Sequence, residues 1–279
     1  MPDCDFLLIG GGVAAYNAGK RMRKLNADAR IVLVSADSLP PYSLPPLSKE
    51  FLRGEQSESD IVYPPLDAMG GPTDVVLSST VSELDAERRE AVLDDGRRIS
   101  FGKALLATGA SPILLPVPGA ELQGVFYLRS ASDALAMAAA AASSHQAVVI
   151  GAGFIGLEVA ASLRKLGIEV TVIEAEARIW PRFADANVAE VVRSRSAAEG
   201  VQFLTGERVV SVNGEGRVKS VSTSGGLQID CDLVCVGIGI RPNTGLASAA
   251  GLETANGIVV DEMMRTSAPD IFAAGDVIS

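Results

Sequence analysis

A short apolar run that ends in a glycine-rich turn, and opens at once into a helix-like stretch, occurs twice in this chain. Gly10-Gly11-Gly12-Val13-Ala14-Ala15 follows Phe6-Leu7-Leu8-Ile9, and Gly151-Ala152-Gly153-Phe154-Ile155-Gly156 follows Ala147-Val148-Val149-Ile150. Apolar runs of this length, bounded by turn residues, read as buried strands. A strand that turns directly into a helix, with small residues at these spacings, selects the βαβ unit of a parallel sheet. One match to so short a pattern is a modest signal. Two matches in the same context imply two related domains on one chain.

The spacing answers a physical demand. The first amides of a helix have no partner inside it, and the helix dipole favours an anion beside them. The first glycine permits the tight turn, the second lets the backbone approach a pyrophosphate, and a small third residue lets helix and strand pack closely. These roles fall to Gly10, Gly12 and Ala15 in one copy, and to Gly151, Gly153 and Gly156 in the other. Each copy thus predicts a bound dinucleotide, and two such cofactors on one chain imply electron transfer between them. The second copy is followed by Gly167-Ile168-Glu169-Val170-Thr171-Val172-Ile173-Glu174, a helix stop, a strand and a terminal acid. Glu174 falls near the roughly 20-residue spacing at which a carboxylate receives a ribose diol and repels a 2′-phosphate. This predicts NADH over NADPH, with Arg178 and Arg182 placed to soften the preference. In the first copy the matching strand is Ile31-Val32-Leu33-Val34, and the acid comes late in Ser35-Ala36-Asp37. Either Asp37 reaches the ribose or Ser35 replaces it.

Composition removes other classes. A length of 279 residues suits about two domains at roughly 150 residues each. A formal charge of −10 argues against nucleic acid as a partner, which calls for a basic footprint. Cys4, Cys231 and Cys235 do not make a disulfide framework, so reduced cysteines and a cytoplasmic location are expected. Cys231 and Cys235 lie four apart in a run that reads as strand, which puts both on one face. The single histidine, His145, and the scattered cysteines offer no metal site and no Ser-His-Asp triad. No stretch approaches the roughly 20 apolar residues of a membrane span. The N-terminus lacks the positive region of a signal peptide.

The remaining pattern alternates strands and helices, as parallel α/β sheets do. Residues 75–101 read as a small β meander and Ala104–Pro112 as a separate buried strand ending in a turn. A helix is expected over Ala131–Ala142, another near 185–199, a second meander near 207–230, and a strand over Leu233–Val236. The expected fold is α/β, with two Rossmann-like domains, each carrying a small meander, one inserted in the other. Residues 1–113 form the first part of one domain, 114–240 the inserted domain, and 241–279 the return segment.

The proline-rich Pro45-Pro46-Leu47-Ser48-Lys49, Ala107-Thr108-Gly109, Tyr127-Leu128-Arg129, Gly237-Ile238-Gly239 with Pro242-Asn243, and Ala274-Gly275-Asp276 add further marks. With the two fingerprints they resemble the pyridine-nucleotide-disulfide oxidoreductase superfamily of flavoproteins, and within it the ferredoxin-reductase branch that serves bacterial oxygenases. The resemblance covers nearly the whole chain. It implies that the first fingerprint, with Val13 and Ala14, binds FAD and that the second, with Phe154 and Ile155, binds NADH. It places Lys49 near the flavin ring, Val81, Arg129 and Asp276 on FAD, and Glu158 near the nicotinamide, with Ala107, Thr108, Gly109, Gly275, Gly237 and Gly239 as further cofactor-binding residues. Phe154 would gate nicotinamide access. Lys49 and Glu158 are the implied catalytic residues. Ala36 departs from the acid that many members carry. Residues 38–55 hold no cysteine, which excludes disulfide reduction through the protein's own thiols. Members usually continue past the Gly-Asp motif into an interface domain, so this chain is expected to lack that domain.

The implied activity is an FAD-dependent transfer of electrons from NADH to a small iron–sulfur carrier such as a ferredoxin. The alternatives are an NADH oxidase, a rubredoxin reductase or the NADH-binding part of a nitrite reductase, and, in another class, a dinucleotide-binding redox sensor without turnover. Lys20, Arg21, Arg23 and Lys24 cluster at the end of the first helix. They read as a solvated helix end suited to the dipole, with a docking patch for an acidic carrier as the alternative.

Overall fold

The computed structural model describes residues 2–180 and 183–279. The chain forms two units. The first holds the chain up to Ser43, with Ile61–Ser111 and Arg241–Ser279; the second holds Leu44–Asp60 and Pro112–Ile240.

In the first unit, β1 (Cys4–Ile9), α1 (Val13–Leu25), β2 (Ile31–Val34) and β3 (Thr73–Val76) precede β4 (Val81–Asp85), β5 (Glu90–Leu93) and β6 (Arg98–Leu106). A parallel sheet runs β3-β2-β1-β6, and the returning strand Ile271–Ala273 also pairs parallel to β6. Alternation decides the layers. Leu7 and Ile9 enter one core with Val32 and Leu106, while Leu8 enters another with Tyr16, Leu33 and Leu105. A strand buried on both faces must read as a continuous apolar run, which is how Phe6–Ile9 of β1 and all of β2 read.

Two expectations change here. Residues 75–76 do not open the meander; they belong to β3, which pairs residue for residue with the wholly buried β2. The meander is β4, β5 and the first half of β6, with Glu90 opposite Ser100. The expected separate strand at 104 is the second half of β6, which pairs with β1 from Phe6↔Lys103 to Ile9↔Leu106. One long strand thus pairs with β5 along its first half and with β1 and the returning strand along its second, running unbroken through Gly102.

The second unit contains β7 (Val125–Tyr127), α2 (Ala131–Ala141), β8 (Gln146–Ile150), α3 (Phe154–Lys165), β9 (Glu169–Glu174), α4 (Ala186–Ala198), β10 (Val201–Thr205), β11 (Val209–Glu215), β12 (Arg217–Thr223), β13 (Gln228–Asp230) and β14 (Leu233–Val236). Its parallel sheet runs β10-β9-β8-β14-β7, and β11-β12-β13 form an antiparallel meander. Val149, Val172 and Leu233 pack with Val159 and Leu163 of α3, whereas Val148, Ile150 and Val234 pack with Val212, Val218 and Val221 of the meander. Helices therefore cover one face and the meander the other. Leu52, 1% exposed, belongs to the helix-side core, which is why residues 44–60 group with this unit.

The cysteines correct the sequence reading. Cys235 lies in the helix-side core and Cys231 in the meander-side core. Cys231 precedes β14, so strand alternation does not extend to it. All three cysteines are free and buried.

Candidate functional site

The two glycine turns are built alike. Gly10 N–H donates to Val34 O and Gly151 N–H to Ile173 O, both at 2.8 Å. Ala107 N–H donates to Ile9 O and Gly237 N–H to Ile150 O, again at 2.8 Å. Gly10 and Gly151 have φ of +122° and +99°. A Cβ at Gly10 would lie 2.1 Å from Ala107 O, and one at Gly151 2.4 Å from Gly237 O. The Ala107-Thr108-Gly109 and Gly237-Ile238-Gly239 segments therefore occupy the same place in their two units: a strand end whose carbonyl presses on the first glycine. The third position differs. Ala15 is fully buried, whereas a Cβ at Gly156 would lie 2.1 Å from Gly151 O.

The second glycine behaves differently. A Cβ on Gly12 would meet nothing within 4 Å, and one on Gly153 would meet only Gly237 O at 3.9 Å. The fold does not forbid a side chain there, so glycine keeps space open. Gly12 and Gly153 are the N-caps of α1 and α3, and neither helix has a side-chain cap or a first-turn acid. By contrast, α2 carries a Ser130–Asp133 capping box and α4 is capped by Asp185. Of the four helices named above, the two behind glycine turns keep their first amides for something else. This fits a diphosphate in each cradle.

Around the first cradle, Ser35 is buried and touches the turn: a Cβ on Gly11 would meet its Oγ at 2.3 Å. The Asp37 carboxylate accepts from Tyr42 Oη at 2.6 Å and Leu39 N–H at 3.1 Å. Of the two candidates for the ribose, Ser35 is the one against the glycines. Gly275, at φ +86°, would bring a Cβ within 3.1 Å of Ala14, which sets the exposed Asp276 beside the start of α1. Thr108 and Asn243 exchange hydrogen bonds of 2.9 Å, Oγ1 to O and Nδ2 to O. The Val81 side chain lies in the core, and the residue pairs with Leu93 in the meander.

The second cradle opens into a cavity of about 850 Å³ lined by Gly151, Gly153, Phe154, Ile155, Glu174 and the Gly237–Ile240 segment among others. Binding clefts commonly span roughly 300–1,000 Å³. Glu174 Oε2 accepts from Ala152 N–H at 2.7 Å and Oε1 from Glu176 N–H at 2.9 Å. The acid is thereby fixed at the mouth of the turn. Phe154 is exposed and packs 4.8 Å from Trp180 and 5.3 Å from Phe183, and all three line the cavity. Sequence reading missed Trp180, Phe183, Glu207 and Arg208 as lining residues; the position of each depends on contacts outside its own segment.

Of the cations singled out in the sequence, Arg23 departs from expectation. Arg178 Nη1 donates to the carbonyls of Ile179, Trp180 and Ala184 at 3.4, 3.3 and 3.0 Å, so it stabilises its own loop. Arg182 lies outside the described residues. Arg23 does not join the basic end of α1 at the surface. It is 3% exposed and donates to Ala27 O, Ala29 O, Pro72 O and Thr73 Oγ1 at 2.7–2.8 Å, because five N–H donors can satisfy several buried carbonyls at once.

Lys49 and Glu158 come together within the second unit, Nζ to Oε2 at 2.7 Å, each side chain about one-third exposed. Lys49 Nζ also donates to Pro45 O at 3.1 Å. Arg129 sits at the entry to α2, its N–H on Asp133 Oδ2 at 3.1 Å. Burial pushes the Cys4, Cys231 and Cys235 thiols up to about 12, which suppresses the thiolate that thiol chemistry needs. Among the described residues no group of His, Cys, Asp and Glu could hold a metal, and no helix is long and apolar enough to cross a membrane.

Two glycine turns of matching build, each opening an uncapped helix on its own α/β unit, suit a dinucleotide-dependent oxidoreductase. The chain belongs to the pyridine nucleotide-disulphide oxidoreductase family, whose model matches residues 4–279; it is an FAD-dependent NAD(P)H oxidoreductase. It is 40% identical over 272 residues to a rubredoxin-NAD(+) reductase of Pseudomonas putida, covering 97% of this chain and 71% of the relative. The structure of a ferredoxin reductase for the CYP199A2 system from Rhodopseudomonas palustris superposes with a TM-score of 0.94 at 35% identity, covering 99% of this chain and 69% of that one. The covalent putidaredoxin reductase–putidaredoxin complex superposes with a TM-score of 0.92 at 32% identity, covering 100% of this chain and 68% of that one.

Proposed function

We propose that this chain draws electrons from NADH into FAD and passes them to a small iron–sulfur carrier of a ferredoxin or rubredoxin kind, in the cytoplasm. The observation that carries the reading is the pair of uncapped, glycine-opened helices, each with room at its first amides. The first unit takes FAD: α1 faces its diphosphate, Ser35 or Asp37 its ribose, and Asp276 lies beside the same helix start. The second unit takes NADH: α3 faces the diphosphate and Glu174 the adenosine ribose. When bound, FAD accepts two electrons as a hydride and releases them singly.

The chain's own residues supply position and charge. Glu174, already held by Ala152 N–H, presents an anion where NADPH would bring a 2′-phosphate. Lys49 brings a positive charge that favours reduced flavin, and Glu158 fixes its ammonium. Phe154, packed against Trp180 and Phe183 at the cavity, gates the access of the nicotinamide. The curated relatives at 33–40% identity include carrier reductases, which favours a protein acceptor. The three unpaired thiols support a reducing compartment.

The test is spectroscopic. The purified protein, supplied with FAD, should be yellow and should bleach on anaerobic addition of NADH. It should then reduce ferredoxin or rubredoxin faster than dioxygen. A preparation that binds NADH but never bleaches would defeat the proposal in favour of a sensor. Bleaching with dioxygen as the only acceptor would make it an oxidase.

A further inference from the structure

The Lys49–Glu158 pair is held from behind by buried hydroxyls to which the reading above assigns no part. Ser48 is 2% exposed and Ser162 1%. Ser48 Oγ donates to Glu158 Oε2 at 2.5 Å, the same oxygen that Lys49 Nζ meets at 2.7 Å. Ser162 lies one turn beyond Glu158 on α3, on the same face, and its Oγ donates to the Ser48 carbonyl at 2.6 Å. Arg53 Nη1 reaches Ser162 Oγ at 3.1 Å. Its guanidinium, 8% exposed, is held by two bonds of 2.7 Å to Glu55. Leu52 anchors the same segment in the core.

We propose that Ser48 is a positioning residue, which pins one oxygen of Glu158 against Lys49 and leaves the other, Oε1, as an open acceptor. Both donors converge on Oε2, and among the described residues Oε1 receives no hydrogen bond. Glu158 is about one-third exposed, so without the Ser48 hydroxyl its side chain would be free to rotate toward water and release the ammonium. Ser162 does a different task. Its bond goes to the main chain of residue 48, so it survives Ser48→Ala and keeps the segment docked. Ser48 therefore governs the orientation of the pair, and Ser162 with Arg53 governs where the segment lies.

The kinetic consequence rests on the proposed function; the geometric one does not. In the full-length protein without added cofactor, acetylation of Lys49 by acetic anhydride, read by peptide mass spectrometry, should rise several-fold in Ser48→Ala. Ser48→Thr, which keeps the hydroxyl, should restore the wild-type value, and thermal melting of both variants checks folding. Reduction of FAD by NADH should slow about tenfold in Ser48→Ala, the factor that roughly 1.4 kcal/mol represents. The same substitution should have no further effect in a Glu158→Leu background, whereas a merely structural serine would slow both backgrounds equally. Unchanged Lys49 acetylation in a folded Ser48→Ala, or equal slowing in both backgrounds, overturns the proposal. If the wild-type flavin is not reduced by NADH at all, the function proposed above falls, and the acetylation result still decides the role of Ser48.

Discussion

Replacing Gly153 by alanine should separate the folding of the second turn from its ligand binding. The new Cβ would meet nothing nearer than Gly237 O at 3.9 Å, and φ at this position is −74°, which suits any residue. Two small effects on stability oppose each other. Alanine is a poorer N-cap than glycine by about 0.5–1 kcal/mol, while losing a glycine from the unfolded chain returns about 0.4–1 kcal/mol. The net change should stay within about 0.5 kcal/mol, or about 1–2 °C in Tm for a chain of this size. Binding should respond very differently. The Cβ enters the space at the start of α3 that a diphosphate must occupy. A hydrogen bond to a charged group contributes about 1.5–3 kcal/mol, so losing one weakens NADH by about tenfold to a hundredfold. Calorimetric titration with NADH, run beside a thermal melt, reads both quantities. Gly156→Ala is the contrast. Its Cβ would sit 2.1 Å from Gly151 O, and overpacking of this kind costs about 1–3 kcal/mol, so Tm should fall by several degrees. Unaltered NADH affinity in Gly153→Ala, at unaltered Tm, would refute the assignment of that open space to a diphosphate.

Four further outcomes are expected. Lys49→Met should slow reduction of FAD by NADH in stopped-flow measurements with little change in NADH affinity; an unchanged rate removes Lys49 from the catalytic account. Glu174→Ala removes the acid that holds Ala152 N–H and should narrow the ratio of kcat/KM for NADH over NADPH by about tenfold, since a hydrogen bond to a charged group contributes about 1.5–3 kcal/mol. Arg23→Met should lower stability by about 3 kcal/mol, the upper range for a charge-assisted bond, while carrier reduction keeps its salt dependence; a changed salt dependence at unchanged stability would return Arg23 to a docking role. The buried thiols stay protonated in the folded protein when they would ionise in the unfolded chain, so the unfolded state binds fewer protons. Stability should therefore fall as pH rises from 9.0 to about 12, and a thiol reagent should find three cysteines only after denaturation.

The parts of this protein legible in its sequence are those set by local demands. A glycine with φ above +90° pressed by a carbonyl, as at Gly10 and Gly151, has almost no substitute, so the turns announce themselves. Strands buried on both faces, such as β1 and β8, announce themselves by composition. What stayed hidden depends on partners far away along the chain. Ser48 and Ser162 read as ordinary polar residues until α3 and the proline-rich segment meet. Arg23 at the end of a helix looks like a solvated cation, because the carbonyls it satisfies at Ala29 and Pro72 belong to other segments. Cys231 and Cys235 share a spacing but not a strand, and spacing was all the sequence displayed. Trp180 and Phe183 were passed over for the same reason, since aromatic residues after a strand carry no mark of the ring they will meet.

The second unit takes its material from two stretches of chain, Leu44–Asp60 and Pro112–Ile240. Anyone exchanging nucleotide preference between relatives by grafting only the longer stretch would import a foreign Glu158 while retaining the recipient's Ser48 and Lys49. Such a hybrid would keep both cofactor cradles and still mismatch the charged pair that the graft divides. The transferable cassette is discontinuous, and the short proline-rich arm has to travel with it.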